Sequence, residues 1–246
     1  MAKTSSSAYK NTRAAAAVVI ASVLRGKSLS ALLPEYSLGI PEKERSLFKE
    51  LCFGSLRWYP QIAILLKEFL ERPLKQKDMD VQGLHVLGMY QLLYMRISQH
   101  AVLNETVALS QRLNVRWAKV LINGVLRRFQ RERESLLENF SNNRVFQAAH
   151  PKWLLEKLDS AWSKASVEEI IIGNNTQAPM ILRINQKQYS REKYLGLLNN
   201  ADIAAESSSI SESGIKLDSA VDVGNLPGFE SGACSIQDEA AQLAAG

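Results

Sequence analysis

The sequence predicts a mostly α-helical protein in which a helical bundle is followed by a small α+β unit. Up to about Phe140, apolar residues recur at three- and four-residue steps and the connections between them are short. Beyond His150-Pro151 the pattern changes, and the stretch Met180–Asn185 alternates side chains and includes β-branched residues, as strands do. We therefore predict three parts: a helical domain over 1–142, a helical linker over 143–177 and an α+β subdomain over 178–246.

The apolar run Ala14–Leu24 follows several basic residues, an arrangement that also occurs in export signals. Two more basic residues, Arg25 and Lys27, follow at once, and no small-x-small cleavage site precedes a mature start. We therefore favour a buried first helix over an export signal. Its apolar face is predicted to consist of Ala14, Ala17, Val18, Ala21 and Leu24.

The other elements are predicted from spacing and from turn residues. Pro34 and Gly39–Pro41 indicate a loop, with Pro41 at the start of the next helix. Gly83 and Gly88 lower helix propensity, so we expect them to permit close helix packing. Predicted helices cover Leu47–Trp58, the residues between Pro60 and Pro73, Val81–Arg96, Asn104–Leu113, Val115–Glu138, part of 153–158, Val167–Ile172 and Arg191–Asn200. Further short strands are predicted at Ile215–Leu217 and Ala233–Ile236.

The charge is distributed unevenly. Residues 1–150 contain 22 Lys and Arg against 12 Asp and Glu, whereas residues 151–246 contain 8 against 13. A basic first part joined to an acidic second part suggests that the first part meets a polyanion. The alternative interpretation is ordinary surface charge with no partner.

The strongest functional signal is a row of basic and amide residues near the end of the bundle. Their positions advance by three or four residues, so they would line one face of a continuous helix, unless Asn114 breaks its start. The row consists of Arg112, Arg116, Lys119, Asn123, Arg127 and Arg131, flanked by Arg128 and Arg133. An opposing apolar face is predicted from Trp117, Val120, Leu121, Val125 and Phe129. Such a row can neutralise RNA phosphates, although a solvated face with Glu132, Glu134 and Glu138 as ion partners is the alternative.

No catalytic centre is visible in the sequence. The chain has no P-loop, no glycine-rich nucleotide motif after a strand and no HExxH or GxSxG motif. The histidines have no metal-ligand spacing, and His85 is expected to be a packed core residue. Cys52 and Cys234 stand in unrelated contexts and are expected to be unactivated thiols in a reducing cytoplasm.

Four segments of the first part carry a family signature. They are Leu51–Arg57, Leu87–Tyr94, Asn104-Glu105 and Leu121–Arg127. In this order and spacing they resemble the NusB-type helical RNA-binding domain. In that fold the asparagine-glycine segment, here Asn123-Gly124, lies on the last long helix, where basic residues can face RNA.

The second part carries a further signature in His150–Leu155, Asn174-Asn175, Pro179–Asn185, Leu226–Glu230 and Ser235–Leu243. These segments are similar to the Sun/Fmu group of bacterial 16S ribosomal RNA cytosine-5 methyltransferases. Taken together, the two resemblances run from about Asn11 to Gly246. The likeness implies a parent enzyme that uses S-adenosyl-L-methionine to methylate 16S ribosomal RNA.

The resemblance also implies where the chemistry would lie. The family's methyl-donor loop and its two catalytic cysteines would follow Gly246, so no catalytic, cofactor-binding or metal-binding residue is expected in this chain. The chain alone is expected to be an inactive N-terminal part that binds and positions RNA as a cytoplasmic monomer, away from membranes. The RNA-binding candidates are Arg112, Arg116, Lys119, Asn123, Arg127, Arg128, Arg131, Arg183 and Asn185.

A second hypothesis stays open at the level of sequence. NusB-type proteins also occur as free-standing, non-enzymatic factors in antitermination or ribosome assembly. A chain of that kind would bind RNA without belonging to a methyltransferase. The segment from His150 to Leu243 distinguishes the two hypotheses, because free-standing NusB-type proteins end near the last helix of the bundle.

Overall fold

The computed structural model describes residues 10–244 and separates into two compact units, Met1–Asn175 and Thr176–Gly246. The predicted class, a helical domain followed by a small α+β region, is confirmed. The bounds of the three predicted parts stay a prediction. The helices of the first unit are α1 (Thr12–Leu24), α2 (Leu29–Ser37), α3 (Arg45–Arg57), α4 (Tyr59–Lys67), α5 (Met79–Tyr94), α6 (Gln99–Arg112), α7 (Lys119–Asn139), α8 (Arg144–Ala148), α9 (Lys152–Ala161) and α10 (Lys164–Asn175).

Helix α1 lies in the core of the first unit, so the prediction of a buried first helix is confirmed. The predicted face at Ala14, Ala17, Val18 and Ala21 is buried, and so is every other residue from Ala14 to Ala21. Small side chains allow other helices to approach α1 closely. The approach is closest at Gly83 of α5, where an added Cβ would lie 2.5 Å from the carbonyl oxygen of Ala17.

The predicted loop at Pro34 and the predicted start of α6 are wrong. Pro34 lies inside α2 rather than in a loop. Proline lacks an amide hydrogen and is unfavourable there, but Leu32 and Tyr36 of the same helix are buried in the core, and their burial outweighs local propensity. Helix α6 begins at Gln99, earlier than predicted, because Ser98 caps it by accepting a hydrogen bond from the amide of Ala101.

Helices α8, α9 and α10 share a small apolar cluster of their own. Its buried members are Ala148, Leu155, Val167 and Ile171. Helix α8 also contacts the main bundle, because the side chain of Gln61 in α4 donates a hydrogen bond of 3.0 Å to the carbonyl oxygen of Phe146.

The second unit is an antiparallel sheet covered by one helix and completed by a short C-terminal one. Its elements are β1 (Ile181–Ile184), α11 (Arg191–Asn200), β2 (Ala205–Ser207), β3 (Gly214–Leu217), β4 (Cys234–Ile236) and α12 (Glu239–Leu243). The strand order is β2-β3-β1-β4, and Leu182 pairs with Ile215 on one side and Ile236 on the other. Tyr194 and Leu198 of α11 are fully buried in the apolar core of this unit.

The predicted strands β1, β3 and β4 and the predicted helix α11 are confirmed. Ser190 caps α11 by accepting a hydrogen bond from the amide of Lys193. Strand β2 was not predicted, because Ala205–Ser207 is short, mostly exposed and without an apolar alternation. Across residues 10–244, no helix has both the length and the apolar character that crossing a membrane requires.

Candidate nucleic-acid interface

The predicted basic row does not lie on one continuous helix. Arg112 is the last residue of α6, Arg116 lies in a short 3-10 turn, and the row from Lys119 onward lies on α7. Asn114 interrupts the path because its backbone is left-handed, with φ of 58°. The prediction of a single helical face is therefore wrong before Lys119, and the row is distributed over three consecutive elements.

Within α7 the geometry agrees with the prediction. Four-residue steps advance around a helix by about 40° each, so Lys119, Asn123, Arg127 and Arg131 spread over roughly 120° of its surface. Lys119, Arg127 and Arg131 are exposed, and Asn123 is half-buried. The opposite side of α7 is buried in the bundle through Ile122, Val125, Leu126, Phe129 and Leu136.

The predicted apolar face of this segment is partly wrong. Val125 and Phe129 are buried, and Leu121 packs partly against the core. Trp117 and Val120, however, are 61% and 83% exposed. At about 100° per residue, Val120 falls between Arg127 and Arg131 around the helix, so it shares their face rather than the buried one.

The flanking arginines differ in what they already contact. Arg128 donates to the carboxylate of Glu132 at 2.9 Å, and its guanidinium carbon lies 5.2 Å from the ring centre of Phe69. Arg133 donates to the carbonyl oxygen of Leu93 at 3.4 Å. These two side chains are therefore held on the protein surface by intramolecular contacts.

The side chains of the basic row make fewer contacts within the protein. Arg127 donates a hydrogen bond of 3.0 Å to the side-chain oxygen of Asn123, which orients its guanidinium while leaving the positive charge uncompensated. Within residues 10–244, no acidic side chain forms an ion pair with Arg112, Arg116, Lys119 or Arg131. Of the predicted acidic partners in this segment, only Glu132 forms such a pair, with Arg128.

The second unit holds the other two candidates, beside a groove of about 480 Å³. Arg183 is half-buried and donates to the side-chain oxygen of Gln237 at 3.3 Å. Asn185 uses both ends of its amide: its nitrogen donates to the carbonyl oxygen of Gly232, and its oxygen accepts from the amide of Lys187. Asn185 therefore fixes the turn after β1, and Lys187, an exposed cation lining the same groove, was missed by sequence reasoning.

His85 is a core residue of α5, as predicted. Its side chain is fully buried, and neither ring nitrogen has a partner within hydrogen-bonding geometry. Burial lowers the pKa of His85 to about 4, against smaller opposing contributions from the backbone of Val81 and Leu121. The imidazole is therefore neutral at physiological pH.

Both cysteines are buried free thiols. Burial raises the pKa of Cys52 to about 12 and raises the pKa of Cys234, whose sulfur lies 3.0 Å from the hydroxyl of Tyr194. Raised pKa values keep both side chains in the protonated form, which is a poor nucleophile. Among residues 10–244, no group of His, Cys, Asp and Glu is arranged to hold a metal ion.

Two family models match the chain, and together they cover more than half of it. The NusB family model matches residues 10–131, and the model described as Methyltr_RsmF/B-like, ferredoxin-like domain matches residues 150–224. The chain thus belongs to a class of proteins in which a NusB-type helical domain precedes a ferredoxin-like one.

Similar proteins of known family define the class more closely. The chain is 46% identical over 96% of its length to ribosomal RNA small subunit methyltransferase B of Pseudomonas putida, and 44% identical to the protein of that name from Pseudomonas syringae pv. tomato. The corresponding protein of Proteus mirabilis is 43% identical. The chain belongs to the family of ribosomal RNA small subunit methyltransferase B. It spans about half the length of these relatives, covering 54%, 52% and 56% of them.

A solved structure shares the fold. The crystal structure of PH0851 superimposes with a TM-score of 0.66 over 94% of this chain and 54% of its own, at 14% sequence identity. The second unit runs β1-α11-β2-β3-β4, which follows the ferredoxin-like β-α-β-β-α-β path with the short turn Val223–Asn225 in the region of the second helix.

Proposed function

We propose that this chain is the RNA-binding part of a small-subunit ribosomal RNA cytosine-5 methyltransferase, and that it holds 16S ribosomal RNA for methylation. The observation that carries the proposal is the exposed basic row that runs from the end of α6, through the 3-10 turn, onto α7. The primary contacts are Arg112, Arg116, Lys119, Asn123, Arg127 and Arg131. Arg128 is a secondary contact, since Glu132 already neutralises its charge and the ring of Phe69 lies beside its guanidinium.

The physical reason is electrostatic. A polyanion whose phosphates approach uncompensated cations releases its condensed counterions, and the entropy of that release drives binding. Arginine can in addition bind one phosphate through two parallel hydrogen bonds or stack on a base. A basic row without acidic partners therefore binds RNA better than one already neutralised by carboxylates.

The second unit contributes in a different manner. Arg183 and Lys187 place two cations beside one groove, and the turn that carries Lys187 is held by Asn185. We propose that Arg183 contacts the RNA backbone and that Asn185 acts by positioning this turn. Ser213 and Ser235 also line the groove and add hydroxyl groups beside the two cations.

For the whole enzyme, the proposed methyl donor is S-adenosyl-L-methionine, by family membership. The residues of this chain do not fit that group: the sheet is antiparallel, and no glycine-rich turn joins a parallel strand to a helix within residues 10–244. We therefore assign no cofactor-binding and no catalytic residue here. A monomer in the cytoplasm is the proposed state of the protein.

The alternative is a non-enzymatic NusB-type factor in antitermination or ribosome assembly, which the NusB match over residues 10–131 would also fit. The ferredoxin-like match over residues 150–224 and the methyltransferase relatives favour the enzyme. Methyl transfer to 16S ribosomal RNA by the intact gene product separates the two. Tight RNA binding with no transfer under any condition would support the alternative.

The test of the RNA surface is a salt titration of binding to a 16S ribosomal RNA segment. The double variant Arg127→Ala, Arg131→Ala should bind more weakly, and its log–log salt slope should fall by about 0.7–0.9 for each phosphate that is no longer neutralised. The charge-matched control is Arg144→Ala with Lys152→Ala, which removes two cations from α8 and α9. Equal behaviour of the two double variants would place the RNA surface elsewhere.

A further inference from the structure

An exposed apolar strip lies beside the basic row. Val120 and Gly124 lie four residues apart on one side of α7, and Trp117 lies in the 3-10 turn that leads directly into this helix. The indole is 61% exposed, and the valine is 83% exposed. Neither side chain is buried in the core, so the packing of the bundle does not account for them.

Gly124 makes the strip flat. A Cβ built at this position meets nothing within 4 Å, so the glycine is not required for helix packing. Glycine also lowers the stability of a helix interior relative to alanine, so helix formation does not explain it either. Because Gly124 has no side chain, the helix backbone next to Val120 is uncovered, and a planar group can lie on it.

Charge decides what kind of partner fits the strip. Arg116 and Lys119 lie at one end and Arg127 and Arg131 at the other, without ion-pair partners among residues 10–244. An apolar protein partner would bury these cations at a cost, since uncompensated charges are expensive to desolvate. Single-stranded RNA matches both features, because its unstacked bases present flat faces and its backbone presents anions.

We infer that Trp117, Val120 and Gly124 form a platform for an unpaired base of RNA, with the indole stacking on that base. The neighbouring phosphates then lie at the cations on either end of the strip. This inference rests on the proposed function. It adds that single-stranded or bulged RNA binds here in preference to a continuous duplex, because the bases of a duplex are already stacked on each other.

The experiment compares the 246-residue chain and its variants on a single-stranded RNA oligonucleotide and on a fully paired RNA duplex. Trp117→Ala should weaken single-strand binding about tenfold, the effect of removing one base–aromatic stack. Its salt slope should not change, because no charge is removed. Trp117→Phe keeps a ring and should restore most of the affinity, and duplex binding should be the same for all three proteins.

Two further variants make the result specific. Trp153→Ala removes an indole of similar exposure, 59%, from α9 and should leave RNA binding unchanged. Gly124→Leu faces open space and suits a helix, so the protein should fold, but the new side chain covers the platform and should weaken single-strand binding. Quenching of tryptophan fluorescence by the single strand should be smaller in Trp117→Phe than in the parent.

The outcomes separate the inference from the proposed function. If Trp117→Ala binds the single strand as the parent does while Arg127→Ala, Arg131→Ala binds weakly, the platform is wrong and the basic surface stands. If Trp153→Ala weakens binding as much as Trp117→Ala, the platform is also wrong. If the parent ignores both RNAs at low salt, the proposed function fails and this inference with it.

Discussion

Helices α5 and α7 belong to the same unit, and each contains glycine and a mixture of apolar and polar residues, yet they have opposite surroundings. Nearly all of α5 is buried, including His85 and Gln91, whereas α7 buries one side and exposes its basic row. Gly83 of α5 stands against the backbone of Ala17, and Gly124 of α7 faces open space. The same residue type serves packing in one helix and a free surface in the other.

The difference shows that the role of a glycine or a polar residue in a helix depends on the residues that pack against it. In α5, other helices surround the residues, so glycine and uncharged polar side chains such as those of His85 and Gln91 are buried. In α7, the exposed side is free to carry charges and an apolar strip, since no part of the core depends on them. Three predictions test this contrast, beginning with the largest expected effect.

The first prediction concerns pH and His85. Its folded-state pKa of about 4 lies below the ordinary value of 6.5, so the unfolded chain takes up a proton at a higher pH than the folded one. The neutral ring's contribution to stability is fully present above about pH 6.5 and is lost as the pH falls to about 4, which amounts to roughly 3 kcal/mol. Urea unfolding at a series of pH values measures this loss.

The comparison variant is His85→Leu, which cannot take up a proton and should lose this part of the pH dependence. His100→Ala removes an exposed histidine of α6 and should leave the dependence as it is in the parent. If stability falls equally with pH in His85→Leu and in the parent, His85 does not destabilise the fold at acidic pH.

The second prediction contrasts the two glycines. Gly83→Ala should lower the free energy of unfolding by about 2 kcal/mol, because the added methyl meets the backbone oxygen of Ala17, which cannot rotate away. Gly124→Ala should raise it by about 0.5–1 kcal/mol through helix propensity alone. Denaturant midpoints measure both, and a change of the same sign in the two variants would break the comparison.

The third and smallest effect is expected at Arg128. Arg128→Ala should lower the free energy of unfolding by about 0.5 kcal/mol, since it removes an exposed ion pair with Glu132 and the contact with the ring of Phe69. Arg127→Ala is the matched control, because Arg127 is hydrogen-bonded to the neutral amide of Asn123 rather than to a carboxylate. Thermal unfolding of the two variants checks this, and equal midpoints would show that neither the Glu132 ion pair nor the Phe69 contact stabilises the fold.

Sequence reasoning identified the basic row but misjudged the secondary structure that carries it and the residues that surround it. Spacing by three and four residues identified Lys119, Arg127 and Arg131, because periodicity is a local property of a helix. The prediction that Trp117 and Val120 are buried was wrong. Both residues are apolar, but their side of the helix depends on where the helix begins after the turn, and apolar character does not specify that start. The interruption at Asn114 was open to prediction, because asparagine adopts the left-handed backbone more readily than most residues, but the sequence did not specify where the next helix begins.

The second unit shows the same division between local and tertiary information. The strand β1 and the cap at Ser190 were predictable from alternation and from a serine before a helix. The role of Asn185 was not, because its hydrogen bond to the carbonyl oxygen of Gly232 joins residues far apart in the chain. Lys187 was missed for the same reason, since the groove that it lines forms only when β4 pairs with β1.

The sequence by itself determined the helical class, most element positions, the basic character of the first part and the family likeness, because each is encoded in residue types and short-range spacing. Only the tertiary structure decided which cations are uncompensated, which glycines are needed for packing and which tryptophan faces outward. Those properties depend on contacts between segments distant in the chain. A side chain is buried or exposed according to what folds onto it, and no local pattern specifies that partner.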